Sequence, residues 1–247
     1  MPSNPDPKKM VIAIDGPAGA GKSTIARLAA RKLDVLYIDT GAMYRALTLK
    51  AIRLGMNCQD EPALSELMRN TRIELRNNHD GSIRVLLDDE DVSLAIRKPE
   101  VARYVSDVSK AAGVRKEMLG LQRGMGLKAP CVLDGRDIGT VVFPDADRKF
   151  FLDADFKERA MRRYKELKEK GEEIVLKEVE ADLKNRDTID STRECAPLKK
   201  ADDAIYVDTT HMTIEEVVEY ILKYIGAQEH KSTRAQEHKS TRAQVDG

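Results

Sequence analysis

The chain has no surplus of either charge: 42 Lys and Arg balance 42 Asp and Glu over 247 residues. No overall field therefore selects nucleic acid or an anionic membrane as a partner, and clusters of arginine have to be read one by one. Its three cysteines, Cys58, Cys131 and Cys195, are far apart and lack metal-ligand spacing, which excludes a cysteine metal centre and points to a reducing cytoplasm. None has an activating His or cationic neighbourhood in the sequence, so each is read as a small structural residue. No apolar segment approaches the length of a membrane span or a signal peptide. What remains is a length suited to one ordinary domain with room for insertions and a substantial core.

The two ends are poor in core-forming residues. Residues 1–9 contain three prolines and read as a loose arm. Residues 227–247 carry AQEHKSTR twice in succession, a low-complexity tail that is disordered or frays from the last helix, and His230 and His238 have no further ligands beside them for a metal.

Between the ends one stretch dominates. Val11-Ile12-Ala13-Ile14 is strand-like and runs through Asp15 into Gly16-Pro17-Ala18-Gly19-Ala20-Gly21-Lys22-Ser23-Thr24, which fits the phosphate-loop pattern G-x-x-x-x-G-K-S/T. Gly16, Gly19 and Gly21 permit positive φ and remove the Cβ atoms that would hold the backbone away from phosphate oxygens. Lys22 adds a point charge, and the Ser23 hydroxyl is placed for Mg²⁺. The following helix, with Ile25, Leu28, Ala29 and Leu33 on one face, aims the positive end of its dipole at the same anion.

Strand and helix alternate onward. Val35-Leu36-Tyr37-Ile38 is a short buried strand that runs into a helix at Asp39-Thr40-Gly41-Ala42-Met43-Tyr44-Arg45, an order that predicts a parallel sheet covered on both faces. Ligands bind beyond the carboxyl ends of such strands, so Thr40, Tyr44 and Arg45 belong on the rim that carries the phosphate loop. Asp39 or Thr40 caps the helix, but Arg45 opposes its dipole and implies a bound anion. From Thr71 to Val92, Ile73 and Leu75, then Ile83, Val85 and Leu87, alternate about the turn Asn77-Asn78-His79-Asp80-Gly81. This is an inserted antiparallel hairpin, either a decoration or a cover for substrate. Pro99 to Leu127 is helical, and on their own Ser106 and Arg115 are solvated residues of it.

Pro130-Cys131-Val132-Leu133 ends in the charged turn Asp134-Gly135-Arg136-Asp137-Ile138-Gly139-Thr140, which is costly at a strand end unless it engages ligands or itself. Asp134 takes the position of the strand-terminal acid that holds Mg²⁺ in phosphate-loop proteins. Arg136 suits a phosphate and Asp137 a base or sugar edge, with an internal ion pair as the alternative. After the strand Lys149-Phe150-Phe151-Leu152, Asp155 and Glu158 have capping-box spacing. Arg159, Arg162 and Arg163 at i, i+3, i+4 give one helix face three cations, either simply solvated or an arginine-bearing lid for phosphoryl transfer. A turn at Lys170-Gly171-Glu172 and a second helix from about Leu176 complete that hairpin. Arg186, Asp190 and Arg193 share a face of the second helix if it persists, and Pro197 stops it. Ala204 to Asp208 is the last strand. Thr213 to Ile225 is a closing helix with Ile214, Val217, Val218, Ile221 and Leu222 inward.

Taken in order, IDGPAGAGKST, DTGAMYR, VARYVSDVS, LDGRDIGTVVFPDA, ERAMRR and NRDTIDSTRECAPL, spread from about Met10 to Ile225, resemble the bacterial-type cytidylate kinases. These are nucleoside monophosphate kinases that transfer a phosphoryl group from ATP to CMP or dCMP in pyrimidine nucleotide metabolism. The resemblance implies an α/β fold over 10–226, a phosphate-loop parallel sheet with helices on both faces like the core of adenylate kinase. To that core it adds a small antiparallel nucleoside-monophosphate-binding insert at about 60–100 and a short helical lid at about 155–175. It implies ATP bound by the loop Gly16 to Thr24 and Mg²⁺ held by Ser23 and Asp134. By the same similarity Thr40, Arg115, Asp137 and Arg193 surround cytosine, Ser106, Arg186 and Asp190 contact the ribose, and Arg45 and Arg136 hold the acceptor phosphate, with Tyr44 on the same rim. Thr40 stands where the family carries serine, and the hydroxyl is kept. Asp137 can accept from the exocyclic amine that separates cytosine from uracil. Lys22, Arg136 and the lid arginines Arg159, Arg162 and Arg163 are the catalytic candidates. A cytoplasmic monomer with small nucleotides as its partners, and neither nucleic acid nor membrane, is expected. The rival readings are a kinase of the same fold acting on AMP, UMP or shikimate, and a slowly hydrolysing nucleotide switch, which has no second phosphate to hold.

Overall fold

Strand β1 (Val11–Asp15) is buried at every position, as an unbroken run of Val, Ile and Ala requires of a strand covered on both faces. In the computed structural model, which describes residues 10–78 and 82–226, it is the middle strand of a five-stranded sheet. Its neighbours are β2 (Leu36–Asp39), β6 (Cys131–Gly135), β7 (Arg148–Asp153) and β8 (Ile205–Asp208) in the order β2-β6-β1-β7-β8, parallel at every pairing. The register sets Asp39 beside Asp134 and Asp15 beside Gly135. The carboxyl ends of β2, β6 and β1 are thereby level, and the charged residues that terminate them share one rim.

Both faces are covered, as expected. On one, Ile12, Ile14, Val132, Phe150 and Leu152 pack with α1 (Lys22–Leu33) and a closing helix, α8, over 214–226. On the other, Val11, Ala13, Ile38 and Leu133 meet Ile138 and Val142 of a short helical turn after β6. The three cysteines are free; Cys58 and Cys131 are buried, and burial pushes the Cys131 thiol up to about 12, in keeping with structural roles.

The insert is a three-stranded antiparallel sheet, β3 (Ile73–Asn77), β4 (Ile83–Leu87) and a two-residue β5 (Glu90–Asp91), with Leu75 opposite Val85. Residues 79–81 of its expected turn lie outside the described residues, as do the amino-terminal arm and the repeat tail. The insert packs on neighbouring helices. Ile73, Val85 and Leu87 share a core with α2 (Thr40–Arg53), α3 (Glu61–Arg69), α4 (Pro99–Lys110) and α5 (Ala112–Gly126), and the Asn77 side-chain oxygen accepts the Tyr37 N–H of edge strand β2 at 3.0 Å. Alternating apolar residues thus bury one face of the hairpin on helices instead of on the main sheet.

Four local expectations need correction. Ser106 and Arg115 are not solvated: they are 9% and 6% exposed, because α4 and α5, separated at Ala111, pack against α7 (Leu176–Thr192) and α3 respectively. Helix α7 ends at Thr192, ahead of Pro197. Arg193 takes extended backbone (φ −60°, ψ 140°), and the Leu198 N–H returns to the Asp190 carbonyl at 2.7 Å, so a folded-back chain supplies the stop. Asp155 caps α6 (Phe156–Glu169) through Lys157 N and Glu158 N, but the reciprocal half of the box is missing: Glu158 turns to Arg162, and the Asp155 N–H is taken by Thr210. Ile214 is 46% exposed rather than inward; it opens α8, whose true core face is Val217, Val218, Ile221 and Ile225, with Leu222 half-buried at its edge.

Candidate active site

The loop between β1 and α1 is shaped by glycines where no side chain fits. Gly16 has φ +147°, and a Cβ there would lie 1.9 Å from the Leu152 carbonyl oxygen. Gly21, at φ +81°, precedes α1 without any side-chain cap, so the first N–H groups of that helix stay available to an anion. Lys22 is buried, and its ammonium donates to the Pro17 carbonyl at 2.6 Å. Burial, and then the neighbouring Arg136, hold its pKa well below the usual lysine value against the pull of Asp134, Asp190 and Asp15.

Asp134 receives two hydroxyls, Ser23 Oγ at 2.7 Å and Tyr37 Oη at 2.8 Å, while Thr40 Oγ1 donates to its backbone carbonyl at 2.6 Å. Burial first, and Asp39 next, push its carboxyl up to about 6. Among the described residues no cluster of three or more His, Cys, Asp or Glu could hold a metal. The pair Ser23 and Asp134 is nevertheless the sparse, all-oxygen kind that suits Mg²⁺, which keeps waters and phosphate oxygens as its other ligands. Asp39 is the cap of α2, accepting from Ala42 N at 2.8 Å, and Arg45 stands 3.9 Å from it.

Across the rim a chain of charges links elements remote in sequence. Arg136 Nε donates to Asp190 at 2.7 Å, Arg193 lies 3.5 Å from both Asp190 and Asp137, and Arg115 donates to Asp137 while its guanidinium lies over the Tyr44 ring at 5.6 Å. The internal ion pairing that stood as an alternative for Arg136 and Asp137 is therefore present, and it is made with Asp190, Arg115 and Arg193. Among the described residues two donors in this buried knot lack a hydrogen bond: Arg115 Nε, and Arg193 Nη2, which has only its 3.5 Å ion-pair contact with Asp137, a cost in a buried site unless a ligand accepts them. Burial raises Asp190, but Arg136, Arg193 and Arg186 outweigh it and hold the carboxyl below its usual range. Arg186, one turn earlier on α7, is lowered to about 10 by burial and then by Arg136, with Arg45 adding to the repulsion. Arg136 thus lies within electrostatic reach of both Lys22 and Arg186, and Arg186 within reach of Arg45, a run of cations along the rim. Ser106 lies buried on α4, and its hydroxyl makes no hydrogen bond to this chain of charges among the described residues.

The three arginines of α6 do not act as one face. Arg159 is buried, donating to the Ala154 carbonyl at 3.0 Å, the Ala18 carbonyl of the loop at 2.9 Å and Asp187 at 2.7 Å. Arg162 turns to Glu158 and to the Thr209 carbonyl at 2.6 Å, and Arg163 pairs with Glu166 on the outer surface. Positions i, i+3 and i+4 fan over about 100° of the helix circumference, wide enough for packing to separate them. Three further residues enter this network without a motif to mark them: Asp15, Tyr37 and Asp187. Only Asp15 carries a sequence signal, as a charged end to an apolar strand. Tyr37 reads as strand core, and Asp187 is hidden beside Arg186.

The sequence profile of the family described as cytidylate kinase matches residues 12–227. The cytidylate kinase of Clostridioides difficile strain 630 is 51% identical over 216 residues, 87% of this chain and 98% of that protein. That of Bacillus licheniformis is 47% identical over 224 residues, 91% and 99% of the two chains.

Proposed function

The chain belongs to the cytidylate kinase family, and we propose that it moves the γ-phosphoryl group of ATP directly to the 5′-phosphate of CMP or dCMP, giving CDP or dCDP and ADP in pyrimidine nucleotide metabolism. The observation that best supports two nucleotides meeting here is geometric: Asp134 accepts Ser23 Oγ of the donor loop at 2.7 Å, and Arg136, two residues on, donates to Asp190 of α7 at 2.7 Å, so one strand end links the proposed donor and acceptor sides.

The acceptor oxygen is already anionic near neutral pH, so the protein's task is alignment and charge neutralisation without a general base or a covalent intermediate. The loop Gly16 to Thr24 takes the donor phosphates on its amides and on Lys22. Arg45 and Arg136 hold the acceptor phosphate, and Arg186, Asp190 and Ser106 hold the ribose. Thr40, Arg115, Asp137 and Arg193 surround cytosine, where Arg115 Nε and Arg193 Nη2, neither hydrogen-bonded among the described residues, can donate to ring acceptors and Asp137 can accept from the amine. The Tyr44 ring packs beneath Arg115. Ser23 and Asp134 fit Mg²⁺, which when bound would neutralise phosphate charge and favour the ionised Asp134 carboxylate against its burial. Arg159 steadies the loop from the lid side, leaving Arg162 and Arg163 to close on the donor. The insert at about 60–100 serves as the acceptor-side subdomain and the hairpin at about 155–175 as the lid. The same reading makes the protein a cytoplasmic monomer.

A coupled kinase assay with CMP, dCMP, UMP and AMP tests it. CMP and dCMP strongly preferred is the expected result. AMP preferred over CMP overturns the acceptor assignment, and no CDP from CMP, ATP and Mg²⁺ turns the reading toward a nucleotide switch.

A further inference from the structure

Asp15 ends β1 immediately before the phosphate loop and is 5% exposed. Both of its carboxylate oxygens serve a different segment, accepting the N–H of Ile138 at 2.8 Å and of Gly139 at 2.7 Å. Those residues open the helical turn 138–142, in which Val141 N and Val142 N bond back to the Asp137 carbonyl at 2.9 and 3.1 Å. The first N–H groups of a helical turn have no partner inside it, and the residue just before the turn ordinarily supplies one when it is Asp. Here that residue is Asp137, and its side chain makes no capping bond. It is committed instead to Arg115 and Arg193.

The division of labour has a physical consequence. With two unpaired amides directly after it, Asp137 would fold onto its own turn, since a short carboxylate competes well for such donors. Asp15 removes that competition from the neighbouring strand. We propose that Asp15 is a positioning residue for base selection: by capping the turn from β1, it keeps the Asp137 carboxylate free to recognise the amino group of an aminopyrimidine acceptor. This rests on the proposed function, because the ligand it helps to select is the acceptor base. Keeping the carboxylate there is costly, since burial lifts Asp15 to about 6 even though both backbone donors and Lys22 pull the other way.

The test compares wild type with Asp15→Asn, which is equal in size but offers one acceptor oxygen and an NH₂ that meets the second amide. The expected result is a loss of roughly tenfold or more in kcat/KM for CMP, with UMP little changed and KM for ATP within about twofold, so the CMP-to-UMP preference falls. In an Asp137→Ala background the same substitution should leave that preference where it is, as required of a residue acting only through Asp137. Asp15→Ser, with a single small acceptor, should reproduce the selective loss if Asp15→Asn does not accumulate as folded protein. An unchanged CMP-to-UMP preference, a parallel rise of KM for ATP and CMP, or additivity with Asp137→Ala each overturns the proposal. Failure of the wild type itself to make CDP would strike the functional reading instead, so the two are tested separately.

Discussion

Removing the Asp187 carboxylate should weaken ATP and spare CMP, although the residue lies on the helix of the acceptor-side residues Arg186 and Asp190. Its Oδ2 pairs with Arg159 Nη1 at 2.7 Å, and its Oδ1 accepts the Ala18 N–H at the long distance of 3.4 Å. Arg159 in turn holds the Ala18 carbonyl at 2.9 Å, so the N–H and the C=O of one loop residue are held from α6 and α7 together. A hydrogen bond between charged groups contributes about 1.5–3 kcal/mol. With the Asp187 side chain 23% exposed and Arg159 still anchored on Ala154 and Ala18, the lower end applies. About 1.5 kcal/mol is close to tenfold in affinity. Asp187→Ala should therefore raise KM for ATP roughly tenfold, and Asp187→Asn, which keeps one acceptor oxygen, by about threefold. Initial rates varied in one nucleotide at saturation of the other, with calorimetric titration of a non-hydrolysable ATP analogue, measure it. A rise in KM for CMP with ATP unaffected would show that the clamp on Ala18 has no bearing on donor binding, and would refute the reasoning.

Three further outcomes follow from the geometry. Lys22→Ala should abolish most turnover, on the order of a hundredfold or more in kcat, while leaving the urea midpoint near wild type, because its ammonium is buried at a cost and holds only the Pro17 carbonyl; a collapse of stability would contradict that. Gly16→Ala should destabilise by about 3 kcal/mol or more, read by thermal melting, since its Cβ would meet the Leu152 carbonyl at 1.9 Å. Asp134 has its folded pKa raised to about 6 from 3.8, so the fold favours its protonated form: the contribution is complete below the unfolded value and is lost as pH rises through about 6. Metal-free wild type should thus gain stability relative to Asp134→Asn by about 1 kcal/mol on going from pH 7.5 to 5, while Mg²⁺-dependent nucleotide affinity declines over the same interval. A stability difference flat with pH would mean that burial does not lift Asp134 in the folded protein.

The fold was legible wherever the signal is local and repeated. The apolar runs at Val11, Leu36, Cys131, Lys149 and Ile205 became strands within a residue or two of the expected ends, and the alternation about Leu75 and Val85 gave the paired insert. Periodicity failed where a neighbour changed the terms. Ser106 and Arg115 look solvated because a helix pattern does not report a second polar layer packed against it, and α7 stops before Pro197 because a folded-back Leu198 takes the Asp190 carbonyl.

By itself the sequence determined the phosphate loop, the strand order along the chain and the family, since each depends on contiguous residues whose backbone chemistry acts over a few ångström. Only the tertiary structure decided which charges meet. Asp137 reaches Arg115 and Arg193, Asp15 caps a turn more than a hundred residues away, and Arg159 parts company with Arg162 and Arg163. Those encounters are fixed by sheet register and by which buried donor finds an acceptor, and no spacing along the chain encodes either.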